Sequence, residues 1–537
     1  MSNLKKTDKL NYIFELLCEF DEYCRRHDIR IFLDWGTLLG AVRHRDFIPW
    51  DYDVDVSLSW EDYLKLLKAW EKDPLPNRAL VNWDIIPEAT SFWLRFVDTT
   101  TTELRRSNSW GILPSGMSID VFIMIPIRDD PKIMQEVSSS YLVYHELMNR
   151  LFINRRTRDD ATVKLLGESL ERINLGEDRK VITDELRAKA LSCVNDHDFT
   201  HYYSTTAGFR VPEYYRREFV DELTEIPLRG VNFFAPKKYI EHLRSRYYGP
   251  SWRNFPKGIP EEYKYIESLK LPYQIYENDY LRTLNRDEVL EDLIKAKDYE
   301  LEDVLIRRQI STPMYYLAYE RLAWHLEKYG DPTDYTLDTM PDDLKSLLYE
   351  IVQLQRSDEV RRHWHIWFGL DDVWLNLTFD MLLQIDKFNG MQKLLDFRLS
   401  GSTKPLSSDL QDKAQSLAEI LELFDALDYR DVERVRKALT QLEVKGFGNK
   451  VIACEARLFL MRSEVDKTHK YKALENLAKE YLQIFPDSLE LLSYYAYARA
   501  RQGDVETALR EYEKIEQSSD NGMLLLAIKD DKEGLKQ

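Results

Sequence analysis

Apolar side chains return every three to four positions near the start of the chain, at Leu10, Ile13, Phe14, Leu17 and Cys24. That spacing predicts an amphipathic helix over residues 3–27. The short run Ile31-Phe32-Leu33 predicts a strand, Gly36-Thr37 a turn, and Leu38, Leu39, Ala41 and Val42 a short helix. The period then changes. Asp51, Asp53 and Asp55 alternate with Val54 and Val56 and run into Leu58, which predicts a strand with Asp53 and Asp55 on one face and valines in a core; Asp51 shares that face by parity or sits in the loop after Pro49. Ser59 is the predicted N-cap of a second helix, with Asp62 at the capping-box position and Tyr63, Leu66, Leu67 and Trp70 as its apolar stripe. Asp73-Pro74-Leu75-Pro76 stops it. Strands are predicted over Leu80–Ile86, Ser91–Val97, Thr101–Arg105 and Met117–Ile125.

Residues 131–200 read as polar helices without a catalytic signal. Glu225–Gly230 reads as a strand into a turn, with Val231–Ala235 returning, Pro236 opening a helix and Tyr248-Gly249 closing it. From residue 276 onward the pattern is helical, and residues 280–400 are rich in Trp, Tyr and Leu. SGSTKPLSS, residues 400–408, has linker composition. Beyond it Leu417, Ile420, Leu421, Phe424 and Leu427 form a helical stripe. Asp428–Glu433 and Gln502–Glu506 echo each other, and Pro486, Ala496, Gly503, Ala508 and Tyr512 sit at offsets resembling a tetratricopeptide repeat. A plain helical bundle is the alternative. The expected organisation is three domains, 1–275, 276–400 and 409–537.

Composition narrows the function classes. The chain has 537 residues, 44% hydrophobic and 31% charged, an ordinary globular balance. A net charge of −18 argues against a nucleic-acid partner, which demands a basic face. Four scattered cysteines make no CxxC pair, so neither a disulfide framework nor a zinc knuckle is expected. No apolar leader segment and no run long enough to span a bilayer is visible, which predicts a cytoplasmic protein, with peripheral attachment at the inner face of a membrane left open.

The acids carry the chemistry. Side-by-side carboxylates repel unless a cation sits between them, and hard oxygen ligands at this spacing suit Mg2+ or Mn2+. The glycine turn before them offers backbone N–H groups to an anion. An aspartate inside the apolar strand SIDVFIMIP, Asp120, also needs a partner, and a cation shared with Asp53 and Asp55 is one. A calcium loop is a rival reading, but Val56 stands where that loop needs glycine. A sugar-nucleotide glycosyltransferase with a bare DxD is another.

GTLLGAVRH (Gly36–His44) and FIPWDYDVD (Phe47–Asp55) resemble the signature of the LicD/fukutin family of phosphotransferases. FWLRFVDTT around Arg95 resembles that family's basic strand, SIDVFIMIP its third acidic strand, and the segment from Glu225 its closing hairpin and helix. The resemblance covers about residues 10–260. It implies an α+β nucleotidyltransferase-like catalytic domain, a mixed sheet flanked by helices, followed here by an all-α, partly TPR-like region. It further implies transfer of a phospho-alcohol from a CDP-linked alcohol donor to a glycan acceptor such as teichoic acid, capsule or lipopolysaccharide. Asp53, Asp55 and Asp120 are then the metal ligands and catalytic acids, with Asp120 or Asp51 as base and Asp51 also an alternative ligand. Gly36, Thr37, Gly40, Arg43, His44 and Arg95 form the substrate-binding set. For Arg95 a plain strand arginine, and for His44 a plain loop histidine, stay open. Transfer of an NMP group, or a scaffold binding a protein partner through its C-terminal repeats, are the alternative functions.

Overall fold

The computed structural model describes residues 6–51, 53–86, 89, 93–105, 113–149, 160–205, 214–246, 252–255, 265–276, 339–346, scattered positions between 375 and 395, and 405–535. The predicted linker lies largely outside these residues, as does the Tyr248-Gly249 helix end. The chain divides into two compact units, one running to His242 and including 265–276, the other starting at Leu243 and including the C-terminal helices.

In the first unit the helices are α1 (Lys6–Arg26), α2 (Trp35–Arg43), α3 (Trp60–Lys72), α4 (Pro131–Asn149), α5 (Asp160–Asn174), α6 (Arg179–Ala190) and the short α7 (Arg217–Val220). The strands are β1 (Ile31–Leu33), β2 (Asp55–Ser59), β3 (Arg78–Val81), β4 (Leu94–Asp98), β5 (Thr102–Arg105), β6 (Ser118–Ile127), β7 (His201–Ser204), β8 (Tyr214–Arg216), β9 (Leu223–Leu228), β10 (Val231–Pro236) and β11 (Tyr265–Ser268). Helix α8 (Tyr239–Arg246) crosses the boundary between the units, and α9 (Tyr273–Tyr276) belongs to the first.

The main sheet is mixed. Its order is β1-β2-β6-β4-β3, with β7 also on β6 and β8 on β7; β2 and β6 run parallel and the other pairs antiparallel. The long β6 allows this, because Ser118–Val121 pairs with β4 while Met124–Ile127 pairs with β7. Val56, Leu58, Leu94, Phe96, Ile119 and Val121 lie on one face, each at most 1% exposed. Phe20 of α1 stacks on Phe96 at 4.5 Å, and Trp70 of α3 meets the same ring edge-on at 6.0 Å. At about 1.5–3 kcal/mol for each large apolar side chain buried, this layer is what fixes β2 beside β6.

Local chemistry explains where prediction and structure differ. Helix α2 begins at Trp35, so Gly36 and Thr37 lie in its first turn and not in a turn before it; Asp34 is the N-cap and accepts the Trp35 N–H. Strand β2 begins only at Asp55, leaving Asp51 and Asp53 in the loop that follows Pro49. The strand predicted over Leu80–Ile86 ends at Val81, because the Asn82 side chain accepts the Asp84 N–H and turns the chain while its amide donates to Tyr63. Pro236 does not open a helix. It is paired with Leu223 at the end of β10, the Lys237 N–H donates to the Glu222 carbonyl, and α8 starts at Tyr239. Ser59 caps α3 as predicted, its hydroxyl accepting the Asp62 N–H.

The second unit is helical from α10 (Ser408–Asp428) through α11 (Val432–Val444), α12 (Val451–Thr468), α13 (Tyr471–Ile484), α14 (Leu489–Arg501), α15 (Val505–Ser518) and α16 (Gly522–Gly534). The two echoing segments turn out to be one device used twice. A left-handed residue, Arg430 (φ 54°) or Gly503 (φ 89°), precedes an aspartate N-cap, Asp431 or Asp504. The cap N–H bonds back to Ala426 O or Arg499 O, closing α10 and α14 in the same way. Within this unit Arg253 pairs with Asp428 and Arg244 with Asp425. Among the described residues no helix is long and apolar enough to cross a membrane.

Candidate functional site

The face of the sheet opposite Phe20 and Trp70 carries the charges. Asp55 of β2 lies in register with Asp120 of β6, and Asp120 in register with Arg95 of β4. Residues paired across neighbouring strands share a face, so two acids and an arginine stand in one row over three strands. The row continues one strand further, since Asp34 directly follows β1 and its N–H donates to the Asp55 carbonyl at 3.2 Å.

The backbone around Asp55 is held from several sides. Its N–H donates to Thr37 Oγ1 at 2.8 Å, and the Asp120 N–H donates to the neighbouring Val54 carbonyl at 3.0 Å. The buried Thr37 is thus tied through its hydroxyl to the acidic strand. Gly36 lies against Asp51: a methyl group there would stand 2.3 Å from Asp51 Oδ2 and 3.8 Å from Asp55 Oδ2. Gly40 has a packing role. A methyl at Gly40 would sit 2.7 Å from the Asp46 carbonyl oxygen and 3.0 Å from Ile48 N, so the loop 46–51 lies along a glycine face of α2.

Burial, and then the charges of Asp53, Asp120, Asp51 and Asp34 in that order, push the Asp55 carboxyl well above the usual carboxylate range. A concentration of negative charge on hard oxygen donors fits a divalent cation. Among the described residues no three of these carboxylates have oxygens all within 4.8 Å of one another, so a shared cation would draw them inward from these positions.

Arg43 is buried in the last turn of α2 and Arg95 is partly buried in the row itself. His44 is the C-cap of α2, its ring 5.6 Å edge-on to Trp50. Burial, with Arg43 beside it, lowers the imidazole to about 4, against a weaker opposing pull from Asp46. His44 is therefore neutral at pH 7 and adds no charge to the site.

Three features of this face were not read from the sequence. Asp34 is fully buried, accepts the Ser57 hydroxyl at 2.5 Å and lies 2.8 Å from His242 Nε2, which is also fully buried. The N-cap position just before Trp35-Gly36-Thr37 was a legible hint for Asp34; nothing local marks His242, which lies 208 positions away. Trp35 takes a left-handed backbone (φ 45°), uncommon for a bulky residue, and its indole lies 5.7 Å from Phe122, two residues past Asp120 on the same face.

Comparison with known proteins bears on the same residues. Residues 28–139 match the family model described as LicD/FKTN/FKRP, nucleotidyltransferase domain. The chain is 23% identical over 270 residues to the lipopolysaccharide cholinephosphotransferase LicD of Haemophilus influenzae, covering 49% of this chain and 95% of that protein. It is 59% identical over 34 residues to the human and mouse ribitol 5-phosphate transferase FKRP, a stretch that is 6% of this chain and 7% of theirs. No solved structure matches the chain. The family's model falls across β1, β2, β4 and β6, the strands that assemble the acidic row, so it is over the residues of the candidate site that this chain carries a domain of the LicD/FKTN/FKRP family.

Proposed function

We propose that this protein transfers a phospho-alcohol, phosphocholine or a polyol phosphate such as ribitol or glycerol phosphate, from a CDP-activated donor to a sugar hydroxyl of a cell-surface glycan precursor. The observation that carries the reading is the register of Asp55 with Asp120 and of Asp120 with Arg95, which sets paired acids beside an arginine on one face of the sheet. The two relatives named for cholinephosphate and ribitol 5-phosphate transfer support the substrate class.

Asp53, Asp55 and Asp120 would hold a magnesium or manganese ion, which when bound offsets the charge of the donor diphosphate. Arg95 has a planar fork suited to two phosphate oxygens at once. Arg43, at the end of the same glycine-faced helix, adds positive charge. Asp51, lodged against Gly36, or Asp120 accepts the proton of the attacking sugar hydroxyl. The hydroxyl oxygen bonds to the phosphorus that carries the alcohol, the bond to the CMP oxygen breaks, and CMP leaves. Protein help in such a transfer is mostly positioning and charge stabilisation.

The family model's description as a nucleotidyltransferase domain favours one alternative, transfer of an NMP group from an NTP. Product analysis decides between them. Purified protein with Mg2+ or Mn2+, a glycan acceptor and CDP-choline, CDP-ribitol or CDP-glycerol should release CMP in step with acceptor labelling. Pyrophosphate release from an NTP, with no CMP from any of the three donors, would establish the alternative.

A further inference from the structure

The β9–β10 hairpin closes with two residues, Arg229 and Gly230, between the paired Leu228 and Val231. Both have left-handed backbones, φ 52° and 81°. A two-residue turn with positive φ at both positions favours Asn-Gly, Asp-Gly or Gly-Gly, because a longer side chain at the first position is strained. Arginine is therefore a poor choice for the turn itself. Where a local preference is overridden, the side chain commonly has a use elsewhere.

That use is visible. Arg229 Nε donates to Asp46 Oδ1 at 2.6 Å and Nη1 donates to Asn11 Oδ1 at 2.8 Å. Its guanidinium lies 4.8 Å from the centre of the Phe47 ring and 5.6 Å from that of Phe14. Phe14 in turn packs edge-on against Phe47 and Phe233. Asp46 and Phe47 begin the loop that runs to Asp51, and the inner side of that loop rests on Gly40 and Gly36. The loop is thus gripped between a glycine face of α2 and one arginine from a hairpin 183 positions away.

We infer that Arg229 is a positioning residue for the acid cluster. It holds Asp46 and Phe47 in place, and so seats the Asp51 carboxylate against Gly36 beside Asp55. The inference rests on the reading above that these acids hold a divalent cation.

The test is Arg229→Asn in the full-length protein. Asparagine suits the turn better than arginine, so the melting temperature should stay level or rise. Mn2+ affinity, measured directly by electron paramagnetic resonance, should nevertheless weaken about tenfold, as is usual when a group supporting metal ligands is lost. Arg229→Lys keeps the charge opposite Asp46 but loses the fork and the ring contact, and should fall between. Wild-type Mn2+ affinity in Arg229→Asn, or a loss of affinity that tracks a loss of melting temperature, overturns the inference. Failure of the wild-type protein to bind Mn2+ at all overturns the metal reading on which it stands.

Discussion

Replacing Asp55 with Asn should make the metal-free protein more stable and the enzyme nearly inactive. Neighbouring strands lie about 4.8 Å apart, so register-matched carboxylates at an effective dielectric near 20 repel by on the order of 3 kcal/mol. Solvent reaches this face, and screening reduces the net effect to roughly 1 kcal/mol. Removing the Asp55 charge relieves its repulsion with Asp53, Asp120 and Asp51 at once, while the amide keeps the side chain's size. The expected gain in melting temperature is about 2–4 °C without metal. Added Mg2+ should stabilise the wild type but not the variant, reversing their order. Turnover should fall on the order of 100-fold, about 3 kcal/mol of transition-state stabilisation. The pH dependence supplies an independent check. Because the folded carboxyl titrates above its unfolded value of about 4, the folded state binds more protons from there upward. Wild-type stability without metal should decline as pH rises through that window toward the raised value, and Asp55→Asn should flatten the decline. Scanning calorimetry with and without Mg2+ reads all of this. An Asp55→Asn protein that melts lower without metal and retains turnover within a few-fold of wild type would refute the reasoning.

Gly40→Ala should destabilise the fold by about 1–3 kcal/mol, since the added methyl meets backbone of the 46–48 loop and not a yielding side chain; urea denaturation measures it, and a neutral result would show that the loop has room. His242→Ala should cost about 3 kcal/mol or more, because it strips the buried Asp34 of a partner at 2.8 Å. His242→Gln, which can still donate, should recover part of that loss in the same measurement; equal losses for Ala and Gln would deny the hydrogen bond any weight.

The acids were legible because their period was. A strand of alternating valine and aspartate can bury only one of its faces, so Asp55 had to point away from Val54 and Val56. Asp120 stood out for the complementary reason, a carboxylate within an apolar run. What the chain could not disclose is which strands become neighbours. The parallel pairing of β2 with β6 depends on a long crossover through α3 and β3–β5, and it alone turns two separate aspartates into a pair. The strand start was misread for a local reason. Parity carried the strand back to Asp53, with Asp51 open between strand face and loop, but the chain after Pro49 turns through an Asp51 N–H to Ile48 carbonyl bond before it extends. His242 and Arg229 were invisible for a different reason: each acts across about two hundred positions, and neither sits in a local pattern that ordinary helix or turn chemistry leaves unexplained, except the strained turn at Arg229 once its backbone is known.

A cluster of like charges does not assemble unless the backbone beneath it is over-determined. Here the peptide groups on either side of Asp55 are bonded to Thr37, Asp34 and, through Val54, Asp120. Their partners come from α2, its cap and β6, so relaxing Asp55 requires the helix, the cap and the strand pair to move together. The large apolar layer on the other face makes that movement expensive. Repulsion that would disperse five carboxylates on a loop is therefore retained as a local concentration of negative charge. This also accounts for the arrangement of glycines. Gly36 lets Asp51 approach the helix where any side chain would hold it off, and Gly40 lets the loop carrying Asp51 follow. The strain lies in the acids and the rigidity in their surroundings, so a cation proposed to bind here would have to move carboxylate side chains and not the backbone that carries them.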